Sequence, residues 1–377
     1  MSETYSPGLE NVVAGETAIC TLDTGLVYRG YSIEDLAEHS QFEEVAYLLL
    51  YGELPKAQEL TDFQERLASY SVLPVEIPKI LAKLPLDTMP MDVLRTGVSL
   101  VSHFYPESPD ASAQERQAHA ERILAAVPAI LSIWQNRQNC SEMPPALEFS
   151  GNTYYLARNF LWQARGVMPS NQEVKTLDLT LMLYAEHEFN ASTFVTRAIT
   201  STRSDLYSAI VGGIGALKGP LHGGANERAL ADLIEIGSVE NVKPWLDRAF
   251  AEKRRIMGFG HRVYKHADPR AVVLARHAKE LLRGPVDESL EHVAHAVEQE
   301  MLTRKGLHPN VDWPCARVYH YLGFDKPFFT PLFVMARVSG WSAHALEQAA
   351  NNRLIRPRSL YVGPLGKKWR PLREREN

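Results

Sequence analysis

Hydrophobic residues recur with helical spacing along most of the chain. Between Phe42 and Tyr51 they fall at positions i, i+3, i+4, i+7 and i+8, and Gly52 follows where a helix commonly ends. The same periodicity predicts a helix over residues 331–348. Strand-like alternation is rare, and its best example, residues 17–31, predicts a hairpin around a turn at residues 23–25. The pattern therefore predicts an all-α fold with a small β element near the N-terminus.

Another predicted helix follows Asp268, which suits an N-cap, and Pro269, which suits the first helical turn. Its apolar stripe covers residues 274–282, and Gly284-Pro285 is expected to end the helix. Arg270 would then lie in the first turn, where free N–H groups and the helix dipole favour an anion. This turn is a candidate anion site.

Small residues share one side of the helix predicted over residues 207–218. Ala209, Gly212, Gly213 and Ala216 recur there at spacings of three and four, so a second backbone can approach closely. The helix is either buried in its own core or paired across a subunit interface. Composition alone does not separate these two interpretations.

Composition and charge exclude several classes of protein. The 377 residues are 45% hydrophobic and 23% charged, which is typical of a globular protein, and the net charge of −5 gives no overall attraction to nucleic acid or anionic lipid. No apolar run is long enough to span a membrane, and no secretory signal is readable. The three cysteines, Cys20, Cys140 and Cys315, are far apart and fit a reducing compartment. We expect a cytoplasmic protein that binds neither nucleic acid nor membrane.

Common cofactor and metal motifs are missing. The sequence has no Gly-x-x-x-x-Gly-Lys-Ser/Thr phosphate loop, no His-Glu-x-x-His, no Cys/His spacing of a zinc site and no Gly-x-Ser-x-Gly elbow. Gly213-Ile214-Gly215 resembles the start of a dinucleotide fingerprint but follows helical sequence and lacks the third glycine. We therefore predict no metal site and no cofactor.

Three polar clusters in predicted loops remain as candidate chemistry. They are residues 219–227 with His222 between glycines, residues 258–265 with His261, and residues 309–314 with Asp312. Each also has a structural interpretation, because His222 could be a turn residue, Arg270 a surface arginine paired with a local acid, and Asp312 an N-cap. Two histidines, one aspartate and many arginines together suggest proton abstraction from a carbon acid, with a small polyanion as the second substrate.

The three clusters together resemble the citrate synthase family. The segments that match are Leu217-Lys218-Gly219-Pro220-Leu221-His222-Gly223-Gly224-Ala225-Asn226, Met257-Gly258-Phe259-Gly260-His261-Arg262-Val263-Tyr264-Lys265 with Asp268-Pro269-Arg270-Ala271, and Asn310-Val311-Asp312 followed by an aromatic residue. Similarity extends from residues 28–31 to residues 356–358, nearly the whole chain. The resemblance implies a transferase that condenses acetyl-CoA with oxaloacetate and hydrolyses citryl-CoA to citrate and CoA, the entry to the tricarboxylic acid cycle. It also implies the short type of chain without an N-terminal regulatory extension, so we expect no control by NADH.

The resemblance also implies roles for individual residues. Asp312 would remove a methyl proton from acetyl-CoA, His222 would stabilise the enolate oxygen, and His261 would polarise the ketone of oxaloacetate. The residues expected to bind oxaloacetate are His187, Arg270, Arg337 and Arg356. Those expected to lie against CoA are Arg255, Ile256, Met257, Gly258 and Phe259.

In relatives the arginine that matches Arg356 comes from the partner subunit. The resemblance thus implies a homodimer whose sites are complete only together, with larger assemblies left open. It further implies a large domain, residues 1–218 and 322–377, and a small mobile domain, residues 219–321, that closes over oxaloacetate on the CoA side.

One departure from the family pattern concerns the residues after Asp312. Many relatives have Phe-Tyr there, whereas this chain has Trp313-Pro314, and proline removes a backbone donor. Two alternatives therefore accompany the leading interpretation. One is a 2-methylcitrate synthase that uses propionyl-CoA, and the other is a catalytically silent helical assembly protein on the same fold.

Overall fold

Helices form most of the protein, as the periodicity predicted. The structure is a computed structural model that describes residues 6–23, 25–151, 154–260 and 267–375. Within these ranges the first half of the chain forms eight α-helices: α1 Ile33–His39, α2 Phe42–Tyr51, α3 Ala57–Tyr70, α4 Glu76–Leu81, α5 Pro90–Phe104, α6 Ala113–Gln138, α7 Tyr155–Arg165 and α8 Asn171–Tyr184. The second half forms eight more: α9 Ala191–Ser201, α10 Leu206–Leu217, α11 Ala225–Ile236, α12 Val242–Ala251, α13 Pro269–Lys279, α14 Pro285–Lys305, α15 Asp312–Tyr321 and α16 Phe329–Ala350.

A small antiparallel sheet lies near the N-terminus. Strands β1 Cys20–Thr21, β2 Val27–Tyr28 and β3 Tyr31–Ser32 pair in that order, with Cys20 opposite Tyr28 and Val27 opposite Ser32. The predicted hairpin is confirmed, and the third strand adds to it. Tyr28 is fully buried and its hydroxyl donates to the backbone carbonyl of Glu186 at 2.9 Å, so the sheet is anchored beside the loop that follows α8.

Helix α16 is the centre of the core. Most of its residues are buried, and it packs against α2, α6, α8, α9 and α10. Trp341 on this helix is fully buried. This agrees with the prediction of a helix over residues 331–348, and it places Arg337 in the middle of the protein rather than at its surface.

The predicted helix after Asp268 begins as expected and ends early. Asp268 accepts the N–H of Arg270 at 3.0 Å, as an N-cap does, but α13 ends at Lys279. Residues 281 and 282 lie beyond the helix end. Gly284-Pro285 does not end this helix; it begins α14, with Gly284 as N-cap and Pro285 as the first residue. The prediction was wrong there because an apolar stripe does not show where backbone hydrogen bonding stops, and proline suits a helix start.

The small residues of α10 pack within the chain. A side chain at Gly212 would meet Ile199 of α9, and one at Gly213 would meet Thr196 of α9 and Trp341 of α16. Close helix pairing is therefore intramolecular on this side. Ser208 and Gly215, on the other side of α10, are exposed. The interface interpretation, which concerned the side with Ala209, Gly212, Gly213 and Ala216, stays a prediction.

Helices α11 to α15 pack mainly on one another and meet the rest of the protein through α1, α8 and α16. They lie within residues 219–321, and the division of the chain into a large domain and a small mobile one stays a prediction. In the described part of the chain, no helix is both long and apolar enough to cross a membrane.

Candidate active site

Asp312 is the first residue of α15, and its carboxylate does not cap the helix. The side chain of Asn310 does so instead, since its Oδ1 accepts the Asp312 N–H at 3.0 Å and its backbone carbonyl accepts the Trp313 N–H at 3.1 Å. The carboxylate Oδ1 of Asp312 accepts a hydrogen bond from the hydroxyl of Tyr184, the last residue of α8, at 2.6 Å. The structural interpretation of Asp312 as an N-cap is therefore wrong.

The surroundings of Asp312 make it a stronger base than an ordinary aspartate. Burial raises the pKa of its carboxyl, while the Tyr184 hydrogen bond and the charges of Arg270 and Arg337 oppose that rise, and Asp268 adds to it. The net direction is upward. A raised pKa increases the affinity of the carboxylate for a proton, which suits a general base.

His222 lies in the loop between α10 and α11. Its Nε2 is 3.2 Å from the backbone N–H of Ser192, which donates to it, and 2.8 Å from the Ser192 hydroxyl. Because the backbone donor requires a lone pair on Nε2, the neutral ring carries its proton on Nδ1. Burial, together with the charge of Arg337, lowers the pKa of His222 to about 4. At neutral pH the ring is therefore an uncharged N–H donor.

The loop that carries His222 has no room for a side chain at its next residue. A Cβ on Gly223 would collide with the backbone carbonyl of Leu217. Gly224 then takes φ 76°, which favours glycine, and is the N-cap of α11. The glycines thus fix the turn and, with it, the position of the imidazole.

Arg270 is buried and bonded to Asp268. Its Nε and Nη2 donate to the two carboxylate oxygens at 3.1 and 3.0 Å. Asp268 Oδ2 also accepts the N–H of Val311, the residue before Asp312, at 3.0 Å. The interpretation of Arg270 as a surface residue is wrong, although it does pair with a local acid. One carboxylate therefore links the candidate anion-binding arginine to the backbone beside the candidate base.

Arg337 reaches the same region from α16. It is almost fully buried, its Nε donates to the backbone carbonyl of Tyr184 at 2.8 Å, and its guanidinium lies over the Phe333 ring. Burial lowers the pKa of this guanidinium, which still remains charged. Two buried cations, Arg270 and Arg337, thus act on Asp312 from different helices.

His187 lies half-buried in the loop between α8 and α9. Its neighbour Glu186 is fully buried, and Glu186 Oε1 is 3.0 Å from His344 Nε2. The Nδ1 of His344 in turn meets the guanidinium of Arg197 at 3.0 Å. This buried series of polar groups fixes the loop that carries His187.

The predicted CoA segment, residues 255–259, is paired with the segment before Asp312. Phe259 forms an antiparallel bridge with Pro309, and the N–H of Asn310 donates to the carbonyl of Gly258 at 2.9 Å. The ring of Phe259 packs on that of Trp313, 4.6 Å between centroids. Gly258 has φ 85° and lies against Trp313, so a side chain there would be strained and crowded. Arg255 is exposed, whereas Ile256 is buried and Met257 partly so.

The departure from the family pattern at Trp313-Pro314 costs α15 no hydrogen bond. Trp313 is fully buried and its indole N–H donates to Glu298 at 2.7 Å. The first helical hydrogen bond of α15 runs from the Cys315 N–H to the Val311 carbonyl, so the donor that Pro314 lacks has no acceptor in the helix. Pro314 therefore leaves the placement of Asp312 intact.

One predicted site residue, His261, is outside the described residues, and another, Arg356, lies away from this cluster. Arg356 is exposed in the extended segment after α16, where it lines a surface cavity of about 660 Å³ together with Arg353 and Glu347. The structure thus brings Asp312, Arg270 and Arg337 together, while the single chain leaves Arg356 at the surface.

Sequence reasoning assigned no role to three residues that hold this site. They are Tyr184, which bonds Asp312; Ser192, whose backbone sets the tautomer of His222; and Asn310, which caps α15 and donates to the Gly260 carbonyl at 3.0 Å. Asn310 had a readable signal, because it precedes a helix start by two residues. Tyr184 and Ser192 had none, since they meet their partners from positions 128 and 30 residues away.

Comparison with known proteins agrees with this geometry. The family model described as citrate synthase, C-terminal domain, matches residues 8–358. A 2-methylcitrate synthase of Mycobacterium tuberculosis is 43% identical over 94% of this chain and 90% of its own length, and citrate synthase 2 of Bacillus subtilis is 42% identical over 99% and 100%. A solved citrate synthase of Thermoplasma acidophilum, in ternary complex with carboxymethyl coenzyme A and oxaloacetate, superposes with a TM-score of 0.92 at 33% identity, covering 99% of this chain and 100% of that one.

The fold and the site define an all-α protein in which a buried carboxylate, a neutral imidazole and two buried guanidinium groups converge. The chain belongs to the citrate synthase family. It is accordingly an enzyme, an acyltransferase of the citrate synthase type. The predicted fold class and family are confirmed.

Proposed function

We propose that this enzyme condenses an acyl-CoA with oxaloacetate and hydrolyses the resulting thioester. The observation that carries the proposal is the buried Asp312 carboxylate, which caps no helix and is held by Tyr184. In the proposed reaction Asp312 takes a proton from the carbon next to the thioester, and the Nδ1–H of His222 donates to the thioester oxygen as it gains negative charge. A neutral donor suits this step because its hydrogen bond stabilises the negative oxygen of the enolate. The thioester does not have to be protonated beforehand.

The nucleophilic carbon then attacks the ketone of oxaloacetate. A carbon–carbon bond forms and the ketone oxygen receives a proton, a role that the family resemblance gives to His261. Water afterwards cleaves the thioester, and the products are a tricarboxylate and CoA. Arg270 and Arg337 supply buried positive charge for the carboxylates of oxaloacetate, and His187 is proposed to bind it from the α8–α9 loop.

CoA is proposed to lie along residues 255–259. These residues pair with the backbone that leads into Asp312, so a thioester bound there would reach the base. Closure of residues 219–321 over both substrates would exclude water from the enolate. No metal or resident cofactor is part of the proposed reaction. We propose that the protein is cytoplasmic, because Cys20, Cys140 and Cys315 carry free thiols.

Acetyl-CoA is the proposed acyl substrate, with propionyl-CoA as the second candidate. The relatives support both, since one is named citrate synthase 2 and another 2-methylcitrate synthase at nearly equal identity. One methylene is worth about 1–3 kcal/mol, or roughly 10- to 200-fold in kcat/KM. We expect acetyl-CoA to be preferred by about tenfold or more.

Thiol release in the presence of oxaloacetate measures this preference directly. A chromogenic thiol reagent reports kcat/KM for acetyl-CoA and propionyl-CoA side by side. A higher value for propionyl-CoA would contradict the acetyl assignment and establish the second candidate. Absence of thiol release with either substrate, in a folded protein, would refute the proposed function and favour a silent assembly protein.

A homodimer that completes each site with Arg356 from the partner is also part of the proposal. The extended segment after α16 exposes several large apolar side chains, which are Leu360, Tyr361, Val362, Leu365 and Trp369. Contiguous exposed apolar residues commonly mark a protein interface. The segment also carries Arg356, so a second copy that covers it would bring this cation close to a neighbouring subunit.

Mixed dimers test whether Arg356 acts across the interface. We expect Arg356→Ala to raise KM for oxaloacetate by about 10- to 100-fold, since a charge-assisted hydrogen bond is worth roughly 1.5–3 kcal/mol. Mixing this variant with Asp312→Asn should restore activity, because one of the two sites then has both Asp312 and the partner's intact arginine. A mixture that stays as inactive as its components would contradict action in trans. Arg353→Ala, which removes a neighbouring exposed arginine, is the matched control.

A further inference from the structure

We propose that Tyr184 is a positioning residue that aims the Asp312 carboxylate at the acyl-CoA and joins the base to the oxaloacetate side of the site. This inference rests on the proposed function, since it assigns a role within that reaction. It concerns a residue that none of the sequence motifs contains.

The geometry of Tyr184 is that of a fixed donor. The side chain is almost fully buried, and its ring packs on Phe333 with 4.5 Å between centroids. A ring held in this way has one place for its hydroxyl, which lies 2.6 Å from Asp312 Oδ1. Among the described residues no side chain or backbone group donates to Asp312 Oδ2. The hydrogen bond therefore occupies one oxygen and leaves the other to accept the carbon-bound proton.

Tyr184 also holds the oxaloacetate side through its backbone. Its carbonyl accepts the Nε–H of Arg337 at 2.8 Å, while its hydroxyl reaches the base. Arg337 belongs to α16 and Asp312 to α15, and Tyr184 ends α8. A single residue thus fixes the distance between a proposed substrate cation and the proposed base.

The hydroxyl contact crosses the predicted domain boundary. Tyr184 lies in the predicted large domain and Asp312 in the predicted small one. If residues 219–321 move apart from α8, Asp312 loses its donor, and the carboxylate is no longer aimed. The base would then reach its working orientation only when the two parts meet, which limits proton abstraction to the closed enzyme.

The charged and titratable groups that face Asp312 come from several elements. Tyr184 faces it from α8, Arg337 from α16, Asp268 and Arg270 from the start of α13, and Cys315 and Tyr319 from its own helix. Of these, Tyr184 forms the hydrogen bond that opposes the effect of burial on the pKa of Asp312. Its removal should therefore raise that pKa further. Because the base works deprotonated, the acid limb of the kcat–pH profile should move to higher pH.

Tyr184→Phe tests this role, since it removes only the hydroxyl. We expect kcat to fall by about 10- to 100-fold, the value of a hydrogen bond to a charged group. KM for oxaloacetate should change less than about twofold, because the backbone carbonyl that holds Arg337 remains. The acid limb of the profile should move upward in pH. Unchanged kcat with an unchanged acid limb would overturn the proposal, and so would a rise in KM for oxaloacetate alone.

Tyr155→Phe is the matched control. Tyr155 is a buried tyrosine of α7 whose hydroxyl donates to the backbone carbonyl of Leu147 at 2.9 Å, so its loss should leave kcat and the pH profile unchanged. A loss of kcat as large as that of Tyr184→Phe would mean that any buried hydroxyl matters here, which contradicts the specific role.

A ring-fluorinated tyrosine at position 184 gives a second readout if Tyr184→Phe folds poorly. Its more acidic hydroxyl is a stronger donor, so the acid limb should move to lower pH, opposite to the phenylalanine variant. A shift in the same direction as that of Tyr184→Phe would contradict the proposal. Failure of the unmodified enzyme to release thiol from either acyl-CoA would refute the proposed function itself. If the unmodified enzyme is active and the variants at Tyr184 have the same kcat and pH profile, only this role is refuted.

Discussion

Asp312→Asn is expected to lower kcat by about 10²- to 10⁴-fold, the range that general base catalysis contributes. The amide has the shape of the carboxyl group, and its oxygen can still accept the Tyr184 hydroxyl, so the site should keep its geometry. Oxaloacetate should therefore still bind with an affinity within about threefold of the original, since an amide keeps the local packing. Steady-state thiol release measures the first quantity and titration calorimetry with oxaloacetate the second.

An exposed aspartate provides the control for this substitution. Asp325 lies in the loop after α15, so Asp325→Asn removes one negative charge without touching the site. It should leave kcat unchanged. Near-normal turnover of Asp312→Asn would show that another group removes the proton, and the proposed role of Asp312 would have to be abandoned.

His222→Ala is expected to lower kcat by about 10²- to 10³-fold, the cost of losing one donor to a developing oxyanion. The neutral Nδ1–H is lost and no other side chain of its loop replaces it. Because the pKa of His222 is lowered to about 4, the wild-type ring remains neutral as the pH falls from 8 to 5 and gains a proton only near pH 4. Nitrogen NMR of the histidine ring should accordingly show the neutral Nδ1–H form throughout that interval.

Ser192→Ala separates the tautomer from the donor. The backbone N–H of Ser192 remains in this variant, so Nε2 keeps its donor and the proton stays on Nδ1. We expect kcat to fall by less than about tenfold, since the hydrogen bonds of the hydroxyl that are lost, with His222, Asn190 and Trp341, are all between neutral groups. A loss equal to that of His222→Ala, or an NMR spectrum with the proton on Nε2, would contradict the assigned tautomer.

Much of the fold could be predicted because the signals of a helix come from residues that are close together in the sequence. Gly52 ends α2 and Asp268 begins α13 as their positions suggested, since caps are local in sequence. The end of α13 was predicted wrongly because the apolar residues beyond it still pack on the core. Packing continues where hydrogen bonding stops, and sequence periodicity reports only the packing.

The candidate site could be predicted in its residues but not in its connections. His222, Arg270 and Asp312 stand in loops or helix starts with unusual composition, so the sequence draws attention to them. Their partners do not stand out. Tyr184 reads as one more apolar position of α8, and the role of its hydroxyl arises only when α15 is packed against it. Arg356 poses the opposite problem, because a single chain leaves it at the surface whatever its role in an assembly.

The bridge between Phe259 and Pro309 has a consequence for anyone who would redesign this enzyme. The backbone segment proposed to recognise the coenzyme is paired with the segment that leads into Asp312, and the rings of Phe259 and Trp313 pack against each other beside this pairing. Remodelling residues 255–259 to accept a different acyl carrier would also displace the segment that leads into Asp312. Selection for altered carriers should therefore yield compensating changes around Trp313 before it yields an efficient catalyst.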